Sequence, residues 1–117
     1  MNGGDTAHCG DAGRQRCAVS RAYYAAFRHA RNYARDNYGF SPRYDPRDHE
    51  DVRREYANAA GKMKAESKHE EVLKIAWQLN NLRQWRNYCD YKDHFPGLTT
   101  MVTMALREAK AVIDSLS

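Results

Sequence analysis

From Arg14 to Tyr38 the chain reads Arg-Gln-Arg-Cys-Ala-Val-Ser-Arg-Ala-Tyr-Tyr-Ala-Ala-Phe-Arg-His-Ala-Arg-Asn-Tyr-Ala-Arg-Asp-Asn-Tyr. Val19, Tyr23, Ala26, Ala30 and Tyr33 recur at alternating steps of four and three, flanked by Ala22 and Phe27. That spacing puts them on one face of an α-helix. Arg14, Arg21, Arg28 and Arg35 recur every seven residues. At about 100° per residue they form a stripe nearly opposite the apolar seam. Arg16 and Arg31 add to the charge, and no acid interrupts the run from Arg14 to Arg35. Gly39 follows as a helix-stop residue. The first element is therefore an amphipathic helix with a cationic outer face.

The same periodicity continues outward. Asp45-Pro46 has the pattern of an N-cap and first helical residue, opening a second helix. It turns Val52, Tyr56, Ala59 and Ala60 inward and stops near Gly61. Ser67-Lys-His-Glu70 has the spacing of a capping box and predicts the start of a third helix. Its stripe is Val72, Ile75, Leu79 and Leu82, and it continues through Trp85 to about Lys92. Phe95-Pro96-Gly97 marks a turn. Thr99 or Thr100 then caps a fourth helix facing inward through Met101, Ala105, Ala109, Val112 and Leu116. No stretch alternates apolar and polar residues, so no strand is expected. The fold class is all-α, an up-and-down bundle of four main helices over residues 14–117, preceded by a Gly-rich, flexible segment 1–13.

Composition bounds the function classes. With 117 residues there is room for one domain and one modest core. The 42% hydrophobic and 29% charged content is that of a globular chain. No apolar run reaches transmembrane length and residues 1–15 lack an apolar signal core, so neither a membrane span nor a secretory signal is expected. Three cysteines without a Cys-x-x-Cys pair point to a reducing cytoplasm, with Cys17 and Cys89 as small packing residues. The histidines are dispersed and no metal-ligand spacing, phosphate loop or nucleophile elbow occurs, so no metal or cofactor is expected.

The third helix carries the informative break. Arg83, Arg86 and Asp90 fall on the face that is apolar a turn earlier. A guanidinium there must either be paired or line a cleft, since an unpaired buried charge costs several kcal/mol. Asp90, four residues after Arg86, is one candidate partner. The other reading is a polar groove with Asn87, Tyr88 and Tyr91 nearby, in which the planar fork of Arg86 binds phosphate oxygens.

Ser20-Arg-Ala-Tyr-Tyr-Ala-Ala-Phe27 resembles the first-helix signature of the HEPN domain family. Leu82-Arg-Gln-Trp-Arg-Asn-Tyr-Cys-Asp-Tyr91 resembles that family's later Arg-containing motif, and His49 stands where many relatives carry a similar segment. The resemblance spans roughly residues 11–116. It implies a helical bundle that dimerises and, in several branches, cleaves RNA without a metal at the dimer cleft. There an Arg and a polar residue are followed, four to six residues on, by a His. It also implies a toxin–antitoxin or antiphage setting beside a nucleotidyltransferase-like partner protein. Arg86-Asn87 matches the start of the catalytic pattern, but Tyr91 occupies the interval where His is expected, and His94 lies beyond it.

Three readings result. The first is a HEPN-like homodimer binding nucleotide or RNA phosphate around Arg83, Arg86, Asn87 and Asp90, with Arg21 and Arg28 as an outer-face alternative. The second is a metal-independent ribonuclease using Arg86 with Tyr91 or His94. The third is a protein-interaction module whose arginine stripe meets an acidic partner.

Overall fold

A computed structural model describes residues 4–92 and 95–116, with side chains from residue 13 onward. Four helices follow one another: α1 (Gly4–Asn37), α2 (Asp48–Gly61), α3 (Glu66–Tyr91) and α4 (Leu98–Ser115). Among the described residues there is no strand, and no helix is long and apolar enough to cross a membrane. The all-α, four-helix bundle follows from the 3.6-residue periodicity. α1 begins at Gly4, ahead of the Arg14 that the apolar spacing predicts. Extending a helix already nucleated is far easier than starting one.

The core forms where the predicted seams meet. Val19, Tyr23, Ala26 and Ala30 of α1 are buried against Val52 and Tyr56 of α2. Val72, Ile75, Leu79 and Leu82 of α3 and Ala105, Ala109 and Val112 of α4 complete it. Small residues on α1 let α3 and α4 approach closely. The Tyr56 hydroxyl donates to the Ala30 carbonyl at 2.8 Å, satisfying a buried polar atom where α2 meets α1. Cys89 is buried with its Sγ 3.6 Å from Met101 Sδ, a packing role as expected.

The helix starts differ in detail from the sequence pattern. The Asp45 carboxylate accepts the Arg47 N–H at 2.8 Å, but it caps a turn ahead of α2, whose regular helix begins at Asp48. The Ser67 box is not used as a cap: α3 starts one residue earlier, at Glu66, after an extended Ala65. Instead the His69 ring donates from Nδ1 to the Ala60 carbonyl at 2.7 Å, tying the α2–α3 junction. Gly97, at φ 89°, precedes α4, so Thr99 lies inside the helix, where its hydroxyl accepts from Gln15 Nε2 at 2.8 Å.

The α1–α2 connection is fixed by a buried carboxylate. Asp48 is 1% exposed and accepts the backbone N–H groups of Arg43 at 3.0 Å and Tyr44 at 2.8 Å. That grip holds Tyr44 at φ 58°, a left-handed conformation unfavourable for a bulky residue. Asp48→Ala removes both acceptors and is expected to lower stability by about 2–4 kcal/mol, read from chemical denaturation. A loss below about 0.5 kcal/mol would show that the loop holds without the carboxylate.

Candidate functional site

Three helices bring chemistry-bearing side chains to one place. α1 supplies Tyr23, Tyr24 and Phe27, a consecutive apolar-face turn in which Tyr24 turns outward. α2 supplies His49 and Glu50 directly after the Asp48 anchor. α3 supplies Arg83, Arg86 and Asn87 where its apolar stripe gives way to charge. The His49 ring stacks on Phe27 with centroids 4.3 Å apart and planes 24° apart. Its Nδ1 shares a hydrogen bond with the Tyr23 hydroxyl.

Arg86 lies over both tyrosines. Its guanidinium carbon is 5.4 Å from the Tyr23 ring centroid and 5.3 Å from that of Tyr24. Nη1 donates to the Tyr24 hydroxyl at 2.5 Å and Nη2 to Asn87 Oδ1 at 2.8 Å. The Asp90 pairing that the four-residue spacing suggested does not form. The side chain turns toward the α1 rings, where cation–π attraction holds it without a carboxylate. Arg83 reaches Glu50 at 4.0 Å, a loose pair across α2 and α3. The Nε atoms of Arg83 and Arg86 are both buried without a hydrogen-bond partner.

Arginines in this protein divide into two sets. Arg35, Arg43, Arg47, Arg53, Arg54 and Arg83 are in ion pairs with nearby carboxylates. Among the described residues, Arg21, Arg28, Arg31 and Arg86 have no carboxylate within salt-bridge distance. Arg107 on α4 is likewise without a carboxylate and lies elsewhere, whereas Arg21, Arg28, Arg31 and Arg86 converge on Tyr24. A groove of about 510 Å³ is lined by Ser20, Arg21, Tyr24, Ala25 and Arg28. A second cavity, of about 280 Å³, is lined by Tyr24, Phe27, Arg28, Arg31, Tyr44 and His49 together with Asp45, which pairs with Arg47, and Asp48, which is held by the loop N–H groups.

The remaining sequence candidates lie apart. Asn87 lines a third cavity of about 390 Å³ with Asp90 and Tyr91. Tyr91 is 89% exposed, and His94 lies outside the described residues. Trp85 packs against the core, whereas Trp77 is exposed beside Leu73. Among the described residues no cluster of His, Cys, Asp and Glu could hold a metal ion. Residue spacing could not place Tyr23, Tyr24 and Glu50 in the site, because their partners are 26 to 62 positions away or on another helix. A signal was present all the same. Two adjacent tyrosines on a helix with one apolar seam force one ring outward.

Burial, then the positive charges of Arg83 and Arg86, lowers the pKa of His49 below its ordinary 6.5, with Asp48 opposing. Burial also pushes the Tyr23 hydroxyl up to about 12 despite the two arginines. Near pH 7 both groups are therefore neutral. The Tyr23 hydroxyl can donate or accept, so the bond fits either imidazole tautomer, and the one with Nδ1–H donating leaves the Nε2 lone pair free to take up a proton. The unfolded chain takes up this proton near pH 6.5, earlier on acidification than the folded one. Stability from this group is thus complete above pH 6.5 and is lost as pH falls through the lower, folded-state value. NMR titration of His49 should give a pKa below 6.5, and Arg86→Ala should raise it by removing one repulsive charge. An unchanged pKa in the variant would mean that Arg86 does not act on the ring.

No protein-family model, no curated protein and no solved structure matches this chain.

Proposed function

We propose that the chain is a HEPN-like domain that binds the phosphate of RNA or a nucleotide at the Arg86 cluster. The observation that carries this reading is the state of Arg86: a guanidinium held by two tyrosine rings and an amide, with no carboxylate among the described residues. An arginine in an ion pair must give up that partner to take a phosphate. Arg86 has none to give up, and its fork is already oriented. The nearby Arg83 adds a second positive charge, loosely shared with Glu50. The setting is that of the resemblance, a dimeric component of a toxin–antitoxin or antiphage system.

A second reading is favoured by one feature, the neutral imidazole of His49 beside the same arginines. In a metal-independent ribonuclease, Arg86 would stabilise the phosphate and an imidazole would move the ribose 2′-hydroxyl proton. His49 meets that need better than Tyr91, because a neutral imidazole accepts a proton near pH 7 far more readily than a phenol does.

Binding of a labelled RNA oligonucleotide across a salt series tests the first reading. The expected result is an affinity that falls steeply with salt, as counterions are released from the phosphates. Arg86→Ala should weaken binding and reduce the magnitude of the log–log slope by about one. Binding that is insensitive to salt would rule out a phosphate site. RNA incubated with wild type, His49→Asn and Arg86→Ala in excess EDTA then separates binding from cleavage. Products with 2′,3′-cyclic phosphate ends from wild type alone would establish the second reading.

A further inference from the structure

The arginines without carboxylate partners extend beyond Arg86 along the outer face of α1. Arg21, Tyr24, Arg28 and Arg31 follow steps of three, four and three, so they share one side of the helix. Tyr24 lines both α1 cavities and also accepts from Arg86, so the two spaces and the phosphate site join at one hydroxyl. At about 1.5 Å per residue, the run from Arg21 to Arg31 is about 15 Å long. That is room for about four nucleotides stacked at about 3.4 Å each.

Tyr44 closes the far end. It is 63% exposed, and its ring lies 4.9 Å from the Arg31 guanidinium carbon. Its left-handed backbone, at φ 58°, is imposed by the buried Asp48. A bulky residue in that conformation is strained relative to one in an ordinary region of the backbone map. Glycine would fit without strain, yet the position carries an aromatic ring presented to solvent beside two arginines. Strain of this kind collects where a side chain must be displayed.

Resting on the reading of Arg86 as a phosphate ligand, we infer that this face of α1 is a path for single-stranded RNA. Bases stack on Tyr24 and on the open side of Tyr44, and phosphates meet Arg21, Arg28, Arg31 and Arg86. Exposed rings interleaved with unpaired arginines favour a single strand over a duplex. Base faces are free to stack only when unpaired, and aromatic stacking is indifferent to sequence.

The test uses the full-length protein with a fluorescent single-stranded RNA, the same sequence as a blunt duplex, and two substitutions at Tyr44. Tyr44→Gly deletes the ring while relieving the backbone strain and keeping the N–H that Asp48 accepts, and a thermal melt confirms that the variant is folded before binding is read. The expected result is tighter binding of the single strand than of the duplex. Tyr44→Gly should weaken single-strand binding about 5- to 100-fold with no change in salt slope. Tyr44→Phe should leave binding near wild type. If the duplex binds equally well and Tyr44→Gly is silent while Arg86→Ala weakens binding, the path is wrong and the Arg86 phosphate site stands. If neither RNA binds, the phosphate reading itself falls.

Discussion

The ring of His49 is clamped between α1 and α2, stacked on Phe27 and hydrogen-bonded to Tyr23, at the start of a helix anchored by the buried Asp48. α2 rests chiefly on α3 and meets α1 over a shorter stretch, so this contact has a large part in setting how the two helices meet. With His49 fixed, Tyr23 is held in the core and the adjacent Tyr24 is turned outward. Arg86 of α3 then finds two ring faces and, on its own helix, the Asn87 amide in place of Asp90. The apolar seam of α1 thus determines, through one imidazole, which partner an arginine on α3 takes.

That partner choice divides the protein electrostatically. On α2 and the preceding loop, acids at Asp45, Glu50 and Asp51 neutralise Arg43, Arg47, Arg53 and Arg54. These are mostly exposed pairs, each worth little to stability. Their larger effect is on the field, because they cancel charge on one flank and leave the α1 face positive. A net charge of +4 on the whole chain understates the contrast. Local charge, rather than net charge, governs attraction of a polyanion at close approach, because charges more than a Debye length away, about 8 Å at physiological salt, are screened.

The four helices, their inward faces and the packing role of Cys89 were legible in the sequence, because a 3.6-residue period survives any tertiary arrangement. Helix starts were less so. Ser67 has the spacing of a cap, but α3 starts one residue before it, at Glu66, and the α2–α3 junction is tied by the His69–Ala60 bond instead. The site was legible in part: Arg83 and Arg86 stood out as charges on an apolar face, and Arg21 and Arg28 as an outer stripe. What joins them, Tyr24 and His49, depends on which rings of three helices share a space. Spacing along one helix carries no such information, and the Asp90 pairing drawn from spacing alone is the part that the tertiary contacts replace.

An arginine held by rings differs functionally from one held by a carboxylate. A carboxylate partner satisfies the guanidinium electrostatically and must be displaced by an incoming phosphate, at the expense of leaving an anion behind. Tyrosine faces orient the guanidinium while leaving its charge uncompensated, so a phosphate gains nearly the full interaction. The two orphaned Nε donors of Arg83 and Arg86 add a standing cost of about 1–3 kcal/mol each, which a more complete polar network would have removed. The strained Tyr44 adds another. On the proposed reading, these local costs, in a bundle otherwise consistent with its sequence, fall where a phosphate would offset them.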